Sequence, residues 1–253
     1  MMKIGVVGAT GRTGRFVVEA ILARSDLRLG AALVSPRSKS LGAIVAGTEV
    51  QFSDDINALA NTDLVIEFST PDASVGVVEF CSARGIPVLV ATTGHSPEQV
   101  ARLNELGKRV ALGITPNTSV GAAVLTSLAA RAKELLGPGF DIEVLDIHHR
   151  MKRDAPSGTA KSVIRPLVED SDVVFGRAGL RRSGEVGVAA LRGGDVVGDH
   201  TVYFLGEGER IEITHRVSTR AVFGQGAVAL AVKLKGMSPG IYSAGQLIAR
   251  SID

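Results

Sequence analysis

The sequence has no tryptophan, one cysteine, and aromatic residues at only 4% of its 253 positions, and each shortage excludes something. A single cysteine, Cys81, rules out a disulfide within the chain and fits a reducing compartment. It sits in a helix-like segment, where a small packed apolar side chain is the simplest expectation. Scarce aromatics leave no stacking platform for bases, and a net charge of +2 leaves no electrostatic footprint for nucleic acid. No stretch approaches the roughly eighteen uninterrupted apolar residues that a membrane span needs. The apolar run after Met1-Met2-Lys3 is short for a secretory leader and lacks a cleavage site, so a cytoplasmic protein is expected. There is no internal repeat or low-complexity tract, and no metal is expected.

What remains is an ordinary globular composition, 45% hydrophobic and 21% charged, long enough for one large domain or two smaller ones. Strand-like runs at residues 4–7, 29–34, 64–68, 86–91 and 109–114 alternate with helical patterns at 15–23, 73–84 and 97–107. That alternation with short loops predicts a parallel sheet, with ligands at the strand C-termini. The first junction reads Gly8-Ala9-Thr10-Gly11-Arg12-Thr13-Gly14. Glycines three apart between strand and helix allow a tight turn and close approach of a pyrophosphate to the helix N-terminus. Alone, the pattern could equally be a glycine-rich turn. An acid near the end of the second strand would bind the ribose of NAD, but Val34 stands there, followed by Ser35-Pro36-Arg37-Ser38-Lys39. Two cations and two hydroxyls suit a 2′-phosphate, so NADPH is expected over NADH, with Ser35 and Arg37 among its ligands. A solvated basic loop is the plain alternative. A long helix over 120–136 ends at Gly137-Pro138-Gly139, near the boundary to a second domain. Strand patterns at 185–191, 199–204 and 210–215, joined by Gly193-Gly194-Asp195 and Gly206-Glu207-Gly208, predict an antiparallel meander. Helices at 220–233 and 244–252 follow. His95, His200 and His215 read first as loop and strand residues.

The densest chemistry lies between a strand ending near residue 148 and a helix at 161–169. The segment is Asp146-Ile147-His148-His149-Arg150-Met151-Lys152-Arg153-Asp154-Ala155-Pro156-Ser157-Gly158-Thr159-Ala160. Histidine passes protons near neutral pH, and a neighbouring lysine can donate a proton or hold a carboxylate. Asp154-Ala155-Pro156 is turn chemistry, and Ser157 is a candidate N-cap. Gly158 and Thr159 then open the helix, where backbone N–H groups and the dipole favour an anion. Each feature alone is commonly just surface or capping. Together they read as a proton donor beside a carboxylate cradle.

This segment resembles the signature of the dihydrodipicolinate reductases of bacterial lysine and diaminopimelate biosynthesis. The likeness continues over Gly8 to Gly14, Thr92-Thr93-Gly94, residues 117–121, 194–201 and 209–215, and Arg220 with Phe223. The resemblance implies an NAD(P)H-dependent oxidoreductase that converts 4-hydroxy-tetrahydrodipicolinate, with loss of water, to tetrahydrodipicolinate. It implies His148 as acid/base residue, Lys152 as proton donor, and His149, Gly158 and Thr159, beside Ser157, on the carboxylates of a small dicarboxylate. It places the cofactor on the glycine turn, on Ala91-Thr92-Thr93, and on Thr115 to Thr118, including Asn117. It also implies a homotetramer built through the sheets of the central domain. The fold expected is α/β: a Rossmann-type parallel-sheet domain, residues 1–119 with 221–253, for the dinucleotide. A second α+β domain, residues 120–220, has a mixed or antiparallel sheet for substrate and oligomerisation. The sequence departs from the family pattern at Val34, at Ala91 in place of glycine, at Thr118 in place of an aromatic, and in a shorter loop after the Ser-Gly-Thr helix. A reductase of another imine or cyclic enamine, and a silent dinucleotide-binding sensor, are the alternative functions.

Overall fold

The computed structural model describes residues 1–169 and 172–250. It divides into two compact units, Met1–Val120 with Ala221–Asp253, and Gly121–Arg220.

The first unit opens with β1 (Met2–Val7), α1 (Gly14–Leu22) and β2 (Leu27–Leu33). After them come β3 (Phe52–Ser53), β4 (Leu64–Glu67), α2 (Pro71–Ser82), β5 (Val88–Val90), α3 (Pro97–Gly107) and β6 (Ala111–Ile114). The strands are nearly continuous apolar runs because the sheet is covered on both faces. Helix α3 starts where the local chemistry dictates: Ser96 and Gln99 form a capping box, and Pro97 fills the first turn. After the second unit the chain returns as α6 (Ala221–Val232), β12 (Gly240–Tyr242) and α7 (Ala244–Ala249). The seven strands run in the order β12-β6-β5-β4-β1-β2-β3, and every pairing is parallel. Sequence periodicity had pointed to five of them; β3 and β12, at two and three residues, are too short to show a period. One core layer joins the sheet to α1 and α6, and the other joins it to α2 and α3. The strand order reverses between β1 and β4, the switch point where open α/β sheets bind ligands. Helix α7 stops at Ala249, short of the expected end: Arg250 is already extended, and 251–252 lie outside the described residues.

The second unit contains α4 (Val120–Leu136, its first residue in the other unit), β7 (Asp141–His148), α5 (Gly158–Ile164), β8 (Val173–Phe175), β9 (Val186–Arg192), β10 (Gly198–Leu205) and β11 (Arg210–Val217). Its sheet runs β11-β10-β7-β9-β8. Here the expected meander is corrected. Strand β9 lies parallel to β7, while β10 pairs antiparallel with β7 on its other side and with β11. The reason is in the connection after β9, which arches over the end of β7 instead of forming a hairpin. Gly193 N–H donates to the His148 carbonyl at 2.9 Å, and His149 N–H to the Val196 carbonyl at 2.7 Å. The β10–β11 pair is a true hairpin, closed by Gly206 N–H on the Glu209 carbonyl. Alternate β7 residues Ile142 and Val144 pack with Leu125 and Ala129 of α4, Val163 of α5 and Phe204. The opposite face of the sheet carries Leu145, Ile147, Leu191 and Leu205, the last two exposed. The arginine-rich loop is ion-paired to the sheet: Arg181 meets Asp141 at 2.8 Å and Glu143 at 2.6 Å, and Arg177 pairs with Glu143 and Glu185.

Candidate active site

The glycine turn follows β1 at the switch point. Gly8 has φ +77°, and a Cβ there would lie 2.8 Å from the Phe68 carbonyl carbon, at the end of the neighbouring β4. Gly14 begins α1 so close to Gly8 that a Cβ would lie 2.8 Å from the Gly8 carbonyl carbon and 3.1 Å from Ala9 Cα. Gly8 and Ala9 N–H both donate to Leu33 O, at 2.9 and 3.0 Å, and Gly11 N–H donates to Gly8 O at 2.9 Å. Thr13 precedes α1 without a side-chain cap, so no side chain competes for the helix N-terminus. Thr10, Gly11 and Arg12 are exposed on the outside of this turn. A cradle closed to any side chain yet open above suits a pyrophosphate.

The neighbouring strand ends meet the same edge. Ala91 and Thr92 are buried after β5, with Thr93 exposed. After β6, Thr115 Oγ1 donates to Asn117 O at 2.6 Å, Asn117 Oδ1 accepts from Ser119 N at 2.8 Å, and Thr118 Oγ1 donates to Phe223 O at 2.7 Å. The Thr118 hydroxyl therefore ties this turn to the start of α6. Ser35 and Arg37 are both exposed after β2, with the Ser35 hydroxyl accepting from Arg37 N–H at 3.3 Å. One residue escaped the sequence reading. Glu67, fully buried at the end of β4, accepts from Ser69 N–H at 2.6 Å, from the Ser69 hydroxyl, and from Thr92 Oγ1 at 3.0 Å. It pins the β4 and β5 turns together. An acid ending an apolar strand is the only hint the sequence offers.

The second cluster is built around β7. Asp146 and His148 are two apart and share the buried face, and Asp146 faces His200 across the β7–β10 ladder. Asp146 Oδ1 lies 2.9 Å from His148 Nδ1 and 3.3 Å from His200 Nε2. Its Oδ2 accepts from Ser157 N–H at 2.9 Å and from Arg192 Nη2 at 3.1 Å. Arg192 also donates to Asp154 O at 2.7 Å, so one guanidinium holds both ends of the intervening loop. Ser157 caps α5 by accepting from Ala160 N–H at 3.1 Å, and its hydroxyl meets His200 Nε2 at 3.1 Å. The cap is as expected, but Ser157 faces inward. Gly158 is exposed, with open space where a side chain would stand. Thr159 is half-buried beside it. The Ala155–Pro156 peptide bond is cis.

Burial opposes the charge on Asp146, but hydrogen bonds from His148, His200 and Ser157 outweigh it and hold the carboxyl well below the usual range. Lys152 Nζ pairs with Asp154 Oδ1 at 2.9 Å, which outweighs partial burial and keeps Asp154 below its ordinary value. His149, half-buried, is held through its backbone on the arch. The His200 ring meets His148 edge-on at 5.2 Å and stacks on His215 at 6.5 Å. Burial first, then the His200 ring, hold His215 below the ordinary histidine value, with Asp199 opposing. Gly198 leaves room for His148, whose Nε2 lies 3.0 Å from where a Cβ would be. Asp146, His148 and His200 are also close enough to ligate one metal ion, with ligand atoms within 4.8 Å of one another. Arg192, a cation on the same carboxylate, favours hydrogen bonding. His95 lies in the turn after β5, in the first unit. Among the described residues no helix is long and apolar enough to cross a membrane.

Residues 2–118 match the family described as dihydrodipicolinate reductase, N-terminus, and residues 121–248 that described as dihydrodipicolinate reductase, C-terminus. The 4-hydroxy-tetrahydrodipicolinate reductase of Myxococcus xanthus is 40% identical over 265 residues, covering 98% of each chain. That of Aquifex aeolicus is 41% identical over 256 residues, covering 96% of this chain and 97% of its own. Among solved structures, dipicolinate-bound dihydrodipicolinate reductase from Paenisporosarcina shares the fold with a TM-score of 0.82 at 20% identity, over 97% of this chain and 98% of that one. The chain belongs to the dihydrodipicolinate reductase family and is an NAD(P)H-dependent oxidoreductase acting on 4-hydroxy-tetrahydrodipicolinate in lysine and diaminopimelate biosynthesis.

Proposed function

We propose that this chain reduces 4-hydroxy-tetrahydrodipicolinate with NADPH preferred over NADH, using His148 and Lys152 for proton work and His149, Ser157, Gly158 and Thr159 for the substrate carboxylates. The observation that carries the site assignment is the buried Asp146–His148 pair at the end of β7, followed in the next loop by the Lys152–Asp154 pair and the uncovered Gly158. When held there, a nicotinamide would supply hydride to a carbon conjugated with the substrate C=N left after water departs. The electron density this builds must be met by a proton. His148, with Nδ1 turned to Asp146, keeps Nε2 as the exchanging atom. Lys152 is a mobile cation whose partner here, Asp154, is half-exposed; a substrate carboxylate competes for the same ammonium. The backbone at Gly158, without a Cβ, admits the second carboxylate to the α5 N-terminus. Ser157 contributes by fixing that terminus.

The cofactor reading rests on the cradle at Gly8, Ala9, Thr10, Gly11, Arg12, Thr13 and Gly14 and on the strand-end turns at Ala91, Thr92, Thr93, Thr115, Asn117 and Thr118. The preference rests on Val34, buried where an acid would bind a ribose hydroxyl, and on exposed Ser35 and Arg37 beyond it. Residues 1–119 with 221–253 are read as the dinucleotide-binding domain and 120–220 as the substrate and oligomerisation domain, in a cytoplasmic enzyme. The bare sheet face with Leu145, Ile147, Leu191 and Leu205 supports a homotetramer closed face to face.

The test is oxidation of NADPH and NADH, side by side, with freshly generated 4-hydroxy-tetrahydrodipicolinate. Turnover with NADPH well ahead is expected. Equal use of both overturns the reading of Val34 and Arg37. Turnover of another imine but not this substrate overturns the substrate assignment.

A further inference from the structure

Asp146 accounts for more of the second cluster than any other group. It is a fully buried carboxylate on a central strand, a costly placement unless every lone pair has a partner. Its two oxygens do different things. Oδ2 takes two donors that cannot give up their protons for an acceptor role, a backbone N–H from Ser157 and the Arg192 guanidinium. Among the described residues, Oδ1 is paired with imidazole nitrogens, His148 Nδ1 and His200 Nε2. The charge of an oxygen 2.9 Å from Nδ1 favours the His148 proton on Nδ1, which leaves Nε2 with a lone pair. The same carboxylate is joined through Ser157 N–H to the first turn of α5, and through Arg192 to the carbonyl of Asp154. Ring orientation, ring tautomer and the placement of the helix start thus share one anchor.

We propose that Asp146 is a positioning residue of the reaction, holding His148 in the Nδ1-protonated tautomer with Nε2 presented to the substrate. This rests on the assignment of His148 above. Its low-lying carboxyl keeps the anchor charged through the working pH range. In Asp146→Asn the amide oxygen is required at the Oδ2 position by Ser157 and Arg192, so the amide NH2 falls at the Oδ1 position. It then donates to His148 Nδ1 and forces the ring proton to Nε2. Asp146→Glu restores a carboxylate and with it the tautomer, although the extra methylene moves the ring.

The experiment is steady-state kinetics with NADPH on the full chain, alongside nitrogen NMR of labelled histidine to read the His148 tautomer. Wild type is expected to show Nδ1–H. Asp146→Asn is expected to show Nε2–H and a kcat lower by about 100-fold or more, with NADPH affinity within roughly twofold. Asp146→Glu is expected to recover Nδ1–H and part of kcat. In a His148→Asn background, Asp146→Asn is expected to add little further loss, because the two act as one unit. An Nε2–H ring in wild type overturns the proposal without any variant. So does an Asp146→Asn enzyme with unchanged kcat, or one whose loss multiplies fully with that of His148→Asn, as for a purely structural residue. Full activity of His148→Asn alone overturns the assignment of His148, and that outcome is read before any Asp146 variant.

Discussion

Gly14→Ala tests the geometry of the glycine turn after β1. An added methyl would sit on the Gly8 carbonyl, 2.8 Å from its carbon and 3.1 Å from Ala9 Cα. Normal contacts need about 3.5–4.0 Å, so the α1 start must move by roughly 0.5–1 Å. Overpacking backbone against backbone costs about 1–3 kcal/mol, and the gain in helix propensity returns at most about 1 kcal/mol. With the full propensity gain the expected net loss is therefore about 0–2 kcal/mol, and NADPH affinity should fall about tenfold if the N–H groups of this turn hold a phosphate. Gly76→Ala is the matched control. Gly76 lies inside α2 with nothing within 4 Å of its would-be Cβ, so it should gain about 0.5–1 kcal/mol. With no tryptophan in the chain, urea unfolding is followed by far-ultraviolet circular dichroism and binding by the fluorescence of NADPH itself. A Gly14→Ala midpoint at or above that of wild type, with unchanged affinity, would show that the turn is not as tight as described.

Lys152→Ala should lower kcat by about 100-fold or more while the NADPH dissociation constant stays within about twofold; weakened cofactor binding with kcat intact contradicts its role as donor. Glu67→Ala should cost about 2 kcal/mol in urea unfolding, because Ser69 N–H and the Thr92 hydroxyl lose a buried acceptor, whereas Glu67→Gln keeps one and should cost less. Cys81, fully buried with its thiol pushed up to about 12, should resist a disulfide reagent at pH 8 in native protein and react on unfolding; fast native reaction contradicts its placement. His215 is held below its ordinary value, so its contribution to stability is present above that value, about 6.5, and is lost as pH falls through the depressed one. Urea midpoints at pH 7.5 and 5.5 should therefore fall further for wild type than for His215→Gln.

Much of the first unit was legible because its signals are local. Parallel strands buried on both faces read as apolar runs, and the Gly8 and Gly14 spacing marks a strand–helix junction before any contact is known. Strands β3 and β12 were not legible, since each exists only by pairing with a strand already in place. The second sheet is mixed, as expected, but the pairing of β9 with β10 was misread for a related reason. Residues 193–195 are good hairpin residues, and turn chemistry alone predicts that β9 and β10 pair. What decides otherwise is β7, whose end supplies hydrogen-bond partners to that same turn, so a strand laid down some fifty residues earlier separates the two.

The site follows the same division. His148, Lys152 and Ser157 could be singled out because one short segment holds them. His200 and Arg192 were set aside or passed over, since a histidine or arginine in a strand pattern is usually structural and nothing in the chain order ties them to the segment. Sheet register does so: β10 brings His200 opposite Asp146, and β9 brings Arg192 opposite His148. Asp146 itself was counted only as the start of the motif, because an acid at a strand end ordinarily faces water. The period of two settles its direction. His148 must point inward to be held, Asp146 is two residues before it, and so the carboxylate is carried into the core on the same face. Once there it is held charged by two hydrogen bonds on Oδ2 and by imidazole nitrogens at ion-pair distance from Oδ1, and these neighbours are the groups that the reaction would need held still.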